Sequence, residues 1–392
     1  MTSAKKETFI YSAVRTPIGK FNGALSSLTA PELGSIVIAE AIQRAGIQKD
    51  QIDEVIFGNV ISAGVGQAPA RQAALKSGLS EKVSATTINK VCGSGMKAVM
   101  MADQAIRLNQ ARFIVAGGME SMSQAPFLIP HMRRGRKLGN AQMIDSLIHD
   151  GLWDQHENGH MGELSDKVSQ QHGISRESQD TYAVNSYERV KKAQKDGVLA
   201  GEIVPVRVTQ RGQSFGVDHD EQPECDDLAQ FPALPPVFDS QHGTITKGNG
   251  AKISDGAAAL VIGGEFSDLN PVARIVGYAT HAQAPATFAL APIEAVKKVL
   301  QQSRLQVSDI DLFEINEAFA AMSLIVHEAL GLDSDQVNVH GGSIALGHPI
   351  GATGARILVT LINALKSTGR RRGVASLCIG GGEATAMIIE IV

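Results

Sequence analysis

The sequence predicts a layered α/β fold built from two similar halves with a long insertion between them. Three observations carry this reading. Strand-like apolar runs alternate with helical periodicity through the first 119 residues and again after about Gly250. The segment between loses that rhythm, and a short pattern of the first half recurs in the second. The predicted division is a first half of residues 1–119 with 250–270, an inserted loop domain over 120–249, and a second half over 271–392.

In order along the chain, Phe9-Ile-Tyr-Ser-Ala-Val14 reads as a strand, and Arg15-Thr-Pro17 leads to a helix over residues 30–46. Residues 52–58 form a second strand, followed by a small-residue loop and a helix over 67–78. A third strand, 84–88, delivers Cys92 and an apolar helical run from Met96 to Leu108. Phe113-Ile-Val-Ala-Gly-Gly118 reads as a buried strand ending in a Gly-Gly turn. The insertion mixes helical segments, such as 175–196, with loops containing Pro205, Pro223, Pro232 and Pro235-Pro236. Strand character returns at Asp255-Gly-Ala-Ala-Ala-Leu-Val-Ile262, and Ala273 opens a second run of α/β units. There the segment 46–56 is echoed by 305–315. About forty residues later, one half presents Cys92-Gly-Ser-Gly and the other His348-Pro-Ile-Gly-Ala-Thr-Gly, each before an apolar helix. Pro349 suits a first helical turn. A pseudo-twofold between the halves would bring the two helix starts, and so Cys92 and His348, face to face.

Composition narrows the function. The 392 residues are 43% hydrophobic and 19% charged with a net charge of −4, and the charges are interspersed, which points away from nucleic acid and anionic membranes. Three scattered cysteines without a Cys-x-x-Cys pair argue against a disulfide framework or structural zinc and suggest a cytoplasmic setting. No metal site is expected. The opening Met1-Thr-Ser-Ala-Lys-Lys-Glu7 has no apolar signal core, and no apolar run reaches membrane-spanning length. The basic run Arg133-Arg134-Gly-Arg136-Lys137 is either a solvated loop or a contact for ligand phosphates or a partner subunit.

The chemistry-bearing residues follow. Cys92 at a helix start is either a small buried hydrophobe or a nucleophile whose pKa the helix dipole lowers. His348 would be its general base. Cys378 ends a strand and precedes Ile379-Gly-Gly-Gly, so it is either a buried strand thiol or a proton-exchanging group beside an oxyanion-binding Gly380 N–H. Asn316, between a strand and a helix, is an N-cap or holds a water or carbonyl. Gly93-Ser-Gly95-Met-Lys-Ala98 matches the dinucleotide fingerprint, but it follows a third strand rather than the first and has a cysteine in front.

At these residues the sequence resembles the thiolase family, in particular its biosynthetic, acetoacetyl-CoA type. The likeness runs over essentially the whole chain. It is carried by Asn89-Lys-Val-Cys-Gly-Ser-Gly-Met-Lys-Ala, Gly117-Gly-Met-Glu-Ser-Met, Ile203-Val-Pro-Val, Asp255-Gly-Ala-Ala-Ala, Asn316-Glu-Ala-Phe-Ala, the stretch from Gly341 to Arg356, and Cys378-Ile-Gly-Gly-Gly. The resemblance implies duplicated βαβαβαββ halves in a five-layer α/β/α/β/α core, a loop domain over a coenzyme A site, and a homodimer or homotetramer. It implies a ping-pong Claisen reaction: acetyl on Cys92, His348 as base, Cys378 as the proton-exchanging group, and Asn316 holding a water. The N–H groups of Cys92 and Gly380 would bind the acyl-enzyme oxygen. Coenzyme A thioesters are then substrates, and no cofactor is implied.

The same resemblance puts Leu152, His160, Met161, Phe238, Ile253 and Phe319 around the pantetheine and acyl groups. The pattern departs where Ala251 replaces a serine, Glu224 an arginine near the adenine, Lys247 an alanine, and Phe288 a methionine of the acyl pocket. Glu224 beside a polyphosphate would be unfavourable, and Lys247 would offset it in part. The rivals are a degradative 3-ketoacyl-CoA thiolase for longer chains, a decarboxylating condensing enzyme, which would lack Cys378, and a protein that binds coenzyme A without reacting.

Overall fold

The computed structural model describes residues 6–210 and 212–392, so most of the opening segment read for a signal lies outside the described residues. The first half runs β1 (Phe9–Arg15), α1 (Ala30–Ala45), β2 (Glu54–Gly58), α2 (Pro69–Lys76), β3 (Ser84–Ile88), α3 (Ser94–Arg107) and β4 (Phe113–Ser121). The insertion carries α4 (Met161–Gln171), α5 (Arg176–Lys195) and a hairpin of Val206–Gln210 with Gln213–Val217. β5 (Ser254–Gly263) then completes the first sheet. The second half comprises β6 (Ala273–Ala282), α6 (Ala291–Ser303), β7 (Leu312–Ile315), α7 (Ala320–Leu330), α8 (Ile350–Ser367), β8 (Arg372–Ile379) and β9 (Glu383–Ile391).

The strand order is β3-β2-β4-β5-β1 in the first half and β7-β8-β9-β6 in the second. A short antiparallel contact, Phe9 with Arg274 and Ile10 with Ala273, joins β1 to β6. The halves match strand for strand, except that the counterpart of β3 shrinks to a single parallel bridge between Phe313 and Val337. The repeated pattern also repeats in detail. Asp53 accepts the backbone N–H groups of Arg112 and Phe113 at the start of β4, and Asp311 accepts those of Arg371 and Arg372 at the start of β8.

Three apolar cores separate five layers. α1 and α2 pack on the outer face of the first sheet through Leu33, Val37, Ala41 and Ala73. α6 and α7 cover the outer face of the second through Val296, Val299, Met322 and Val326. Between the sheets lie α3 and α8, joined by Met96, Val99, Ala355, Leu358 and Leu361. That central layer is buried on almost every side, and α8 carries one polar stripe, Thr353, Arg356, Thr360 and Asn363, whose side chains are hydrogen-bonded. The insertion packs Tyr187, Val190 and Phe231 into a further core shared with Ile344 and Leu346 of the second half. No helix among the described residues is long and apolar enough to cross a membrane.

Two local expectations change. Gly117-Gly118 is not a turn, because β4 continues to Ser121. A Cβ at Gly117 would strike the Ala258 carbonyl, and one at Gly118 would strike the carbonyl of Gly351 at the start of α8. These glycines are there for close approach, not for bending. Pro349 is the N-cap of α8 rather than part of its first turn, and Gly-Ala-Thr-Gly354 is already helical. Gly118→Ala is expected to lower stability by about 3 kcal/mol through overpacking, measured as a drop in urea midpoint at unchanged m; a midpoint equal to the parent's would contradict this contact.

Candidate active site

Cys92 sits in a tight loop between β3 and α3. Val91 is held at φ 45°, a region that a β-branched residue rarely enters. The Ser94 hydroxyl fixes the loop by donating to the Val91 carbonyl at 2.7 Å and accepting the Lys90 N–H at 2.8 Å. Across the halves, the Lys90 ammonium pairs with the Glu383 carboxylate beyond the Gly380 turn. That turn is made possible by Gly381 and Gly382, at φ 87° and 90°. It places the Gly380 N–H, like the backbone N–H of Cys92 itself, near enough to the Cys92 sulfur to favour its ionised form.

The expected lowering of the Cys92 pKa is not met. Burial pushes the thiol up to about 11, outweighing the two N–H donors, and the Glu120 charge adds to the rise. Cys92 precedes the N-cap Gly93, so the helix start contributes less than desolvation removes. Cys378, on β8, is fully buried, and burial followed by the nearby Cys92 raises its pKa well above the usual thiol value.

His348 follows Gly347, whose φ of 113° turns the chain into α8. Its ring is buried, and burial, reinforced by the Arg356 charge, lowers its pKa to about 3. The Thr353 hydroxyl donates back to the Pro349 carbonyl at 2.9 Å, so its oxygen accepts from His348 Nδ1 at 2.6 Å. The proton therefore resides on Nδ1. Nε2 carries the free lone pair and has no partner among the described residues.

Cys92, His348, Cys378 and Gly380 line one cavity of about 490 Å³. Every residue expected around the substrate also lines it: Leu152, His160, Met161, Phe238, Lys247, Ala251, Ile253, Phe288 and Phe319. His160 caps α4 by accepting the Gly162 N–H on Nδ1 and stacks on Phe238 at 4.6 Å, leaving Nε2–H as a donor. Asn316 is different. It is fully buried, it does not line the cavity, and Phe319 rather than Asn316 is the N-cap of α7. Its Oδ1 accepts from Ser343, and its Nδ2 has no partner. Glu224 is exposed outside the cavity, while its neighbour Gln222 lines it. Arg133, Arg134, Arg136 and Lys137 are exposed.

A family model for the N-terminal thiolase domain matches residues 8–265, and one for the C-terminal thiolase domain matches residues 269–391. The chain belongs to the thiolase family. Among curated thiolase relatives, the acetyl-CoA acetyltransferase of Escherichia coli is 51% identical, over 98% of this chain and 99% of its own. That of Cupriavidus necator is 46% identical, over 98% and 99%. The crystal structure of a Bacillus anthracis acetyl-CoA acetyltransferase superposes with a TM-score of 0.97 at 39% identity, covering all of both chains. A thiolase of Ascaris suum in complex with coenzyme A gives 0.93 at 43% identity, over 99% of this chain and all of that one.

Several thiolase-site residues were absent from the sequence reading. Thr353, five positions after His348, orients the imidazole, and helical spacing from Pro349 was the available signal. Lys90 and Glu383 lie beside recognised motifs, but nothing in the sequence pairs them. The His348 pKa gives a stability prediction. The unfolded imidazole takes up its proton below about pH 6.5, and the folded one only near 3. The folded state therefore binds fewer protons in that window, and stability present above pH 6.5 is lost as pH falls. His348→Asn lacks this loss. Relative to the parent, its urea-derived stability is expected to improve by about 3 kcal/mol between pH 7 and pH 4; parallel pH profiles would contradict the assignment.

Proposed function

We propose that the protein is an acetyl-CoA C-acetyltransferase, condensing two acetyl-CoA reversibly to acetoacetyl-CoA and CoA through an acetyl thioester on Cys92. The observation that supports this most is the meeting of two thiols and a neutral imidazole with a free Nε2 in one cavity. The names of the Escherichia coli and Cupriavidus necator relatives support the same reaction. In the first half-reaction, Nε2 of His348 takes the Cys92 proton as the sulfur attacks the thioester carbon, and the departing CoA sulfur receives it. The N–H groups of Cys92 and Gly380, which meet at the sulfur, receive the carbonyl oxygen of the acetyl-enzyme.

In the second half-reaction, Cys378 hands its own proton to Nε2 of His348 and, as the thiolate, removes one from the methyl of another acetyl-CoA. The carbanion attacks acetyl-Cys92, whose sulfur leaves and takes the proton from Nε2. Cleavage runs these steps backwards, starting from the neutral Cys378 thiol that burial favours. While it holds that proton, His348 Nε2 donates to the second thioester oxygen, and a water on Asn316 donates beside it. The scheme needs no metal or cofactor, and its two reduced thiols fit a cytoplasmic setting.

Bulky apolar side chains line the cavity. Phe288 is buried in its wall, and Leu152, Met161 and Phe319 line it too, which supports a two-carbon acyl group over a long chain. Incubation with acetyl-CoA followed by peptide mass spectrometry is expected to find one acetyl group on Cys92 and none in Cys92→Ser. Thiolysis is expected to favour acetoacetyl-CoA over 3-ketohexadecanoyl-CoA by at least about a hundredfold in kcat/KM, by analogy with other pocket-size discriminations. An unmodified Cys92 would refute the reaction, and equal rates would refute the chain length.

A further inference from the structure

Asn316 is buried two residues before Ala318, which lines the cavity with Phe319, so something must decide which end of its amide is free. The residues around it settle this by donor counting. Arg356 Nη1 donates to Glu314 Oε1 at 2.9 Å, and Nη2 donates to Ser343 Oγ at 2.8 Å. A guanidinium only donates, so the Ser343 oxygen is an acceptor in that bond and its single proton points elsewhere. That proton goes to Asn316, 2.6 Å away, and the atom receiving it must be Oδ1. The NH2 end is left over, fully buried and without a partner among the described residues. Buried donors are rarely left unpaired, and those that are commonly await a water or ligand.

The surroundings link this chain of bonds to the reacting groups. The Asn316 N–H donates to the Ser376 carbonyl at 2.9 Å, two residues before Cys378 on β8. Ser343 opens the helical turn that ends at Gly347, immediately before His348. Arg356 lies on α8, which His348 leads into, and both it and Glu314 are buried.

We propose that Ser343, held by Arg356, is a positioning residue for the condensation step: it spends the Asn316 oxygen internally so that the NH2 end is presented to the water that polarises the second thioester. This rests on the thiolase chemistry proposed above and assigns Ser343 to one half-reaction of it. Acetyl transfer to Cys92 uses the N–H groups of Cys92 and Gly380 and is independent of Ser343. Without the serine hydroxyl, nothing distinguishes the two ends of the Asn316 amide, and the water loses its fixed donor.

The test separates the two half-reactions in the full-length protein. Ser343→Ala, and the near-isosteric weak donor Ser343→Cys, are made alone and with Asn316→Ala. The rate of Cys92 acetylation by acetyl-CoA is read by rapid-quench mass spectrometry, and steady-state thiolysis of acetoacetyl-CoA in parallel. Both single variants are expected to acetylate within about twofold of the parent while kcat for thiolysis falls about tenfold to a hundredfold, with KM little changed. In the Asn316→Ala background, the serine substitutions are expected to cost nothing further, because Ser343 acts only through Asn316. An unchanged kcat, an equal loss in both half-reactions, or additive losses in the double variants would each overturn the proposal. Failure of the parent itself to acetylate Cys92 would instead sink the reaction it rests on, and the proposal with it.

Discussion

The structure depends on backbone approaching backbone where α8 enters the space between the sheets. Gly118 on β4 lies against the carbonyl of Gly351, Gly354 against the Met96 N–H, and a Cβ on Gly95 would come within 2.6 Å of the Ala355 nitrogen. No side chain fits at these points. The contact lets α3 and α8 run together as one buried layer, and the residues just ahead of each helix, Cys92 and His348, then share a cavity. Glu120 secures the same junction. Its buried carboxylate accepts N–H groups from Val60 and Ile61 in the first half and from Gly351 at the start of α8. Burial still outweighs those donors and raises its pKa to about 7.

Burial dominates the electrostatics of the site. Both thiols are pushed towards their neutral forms and the imidazole is kept uncharged, each mainly by burial. A stored thiolate is therefore not the ground state. Charge appears when Cys92 hands its proton to Nε2, and the partners for that charge are already in position: the Gly380 and Cys92 N–H groups for the sulfur and acyl oxygen, and Thr353 for the far side of the imidazole. Enclosure discourages hydrolysis of a thioester, and fixed N–H donors replace the water that enclosure removes.

Much of this was legible in the chain, because periodicity and duplication are long-range signals. The strand 84–88, the helices 30–46 and 175–196, and the correspondence of 46–56 with 305–315 survive with boundaries moved by a residue or two. That duplication ties Cys92 to His348 from the sequence alone. The failures share a cause, which is that sequence pattern does not report what lies opposite. Gly117-Gly118 looked like a turn because its reason, the neighbouring β5 and α8 backbones, is remote in sequence. The Cys92 pKa was misjudged because a helix start is visible in sequence and the depth of a cavity is not. Asn316 reads equally as a cap of the helix it precedes or as the holder of a water or carbonyl, and the sequence does not choose because its partner Ser343 is twenty-seven residues away. The Lys90–Glu383 pair spans the two halves and could not be read from either.

The central claim is that the two halves aim their helix starts, and the Gly380 turn, at one sulfur. A crystal structure of the protein soaked briefly in acetyl-CoA tests it most directly. The account predicts an acetyl group on Cys92 whose carbonyl oxygen accepts the N–H groups of Cys92 and Gly380, with His348 Nε2 and the Cys378 sulfur facing it. An acetyl group on another residue, or a carbonyl oxygen turned away from both N–H groups, would contradict it.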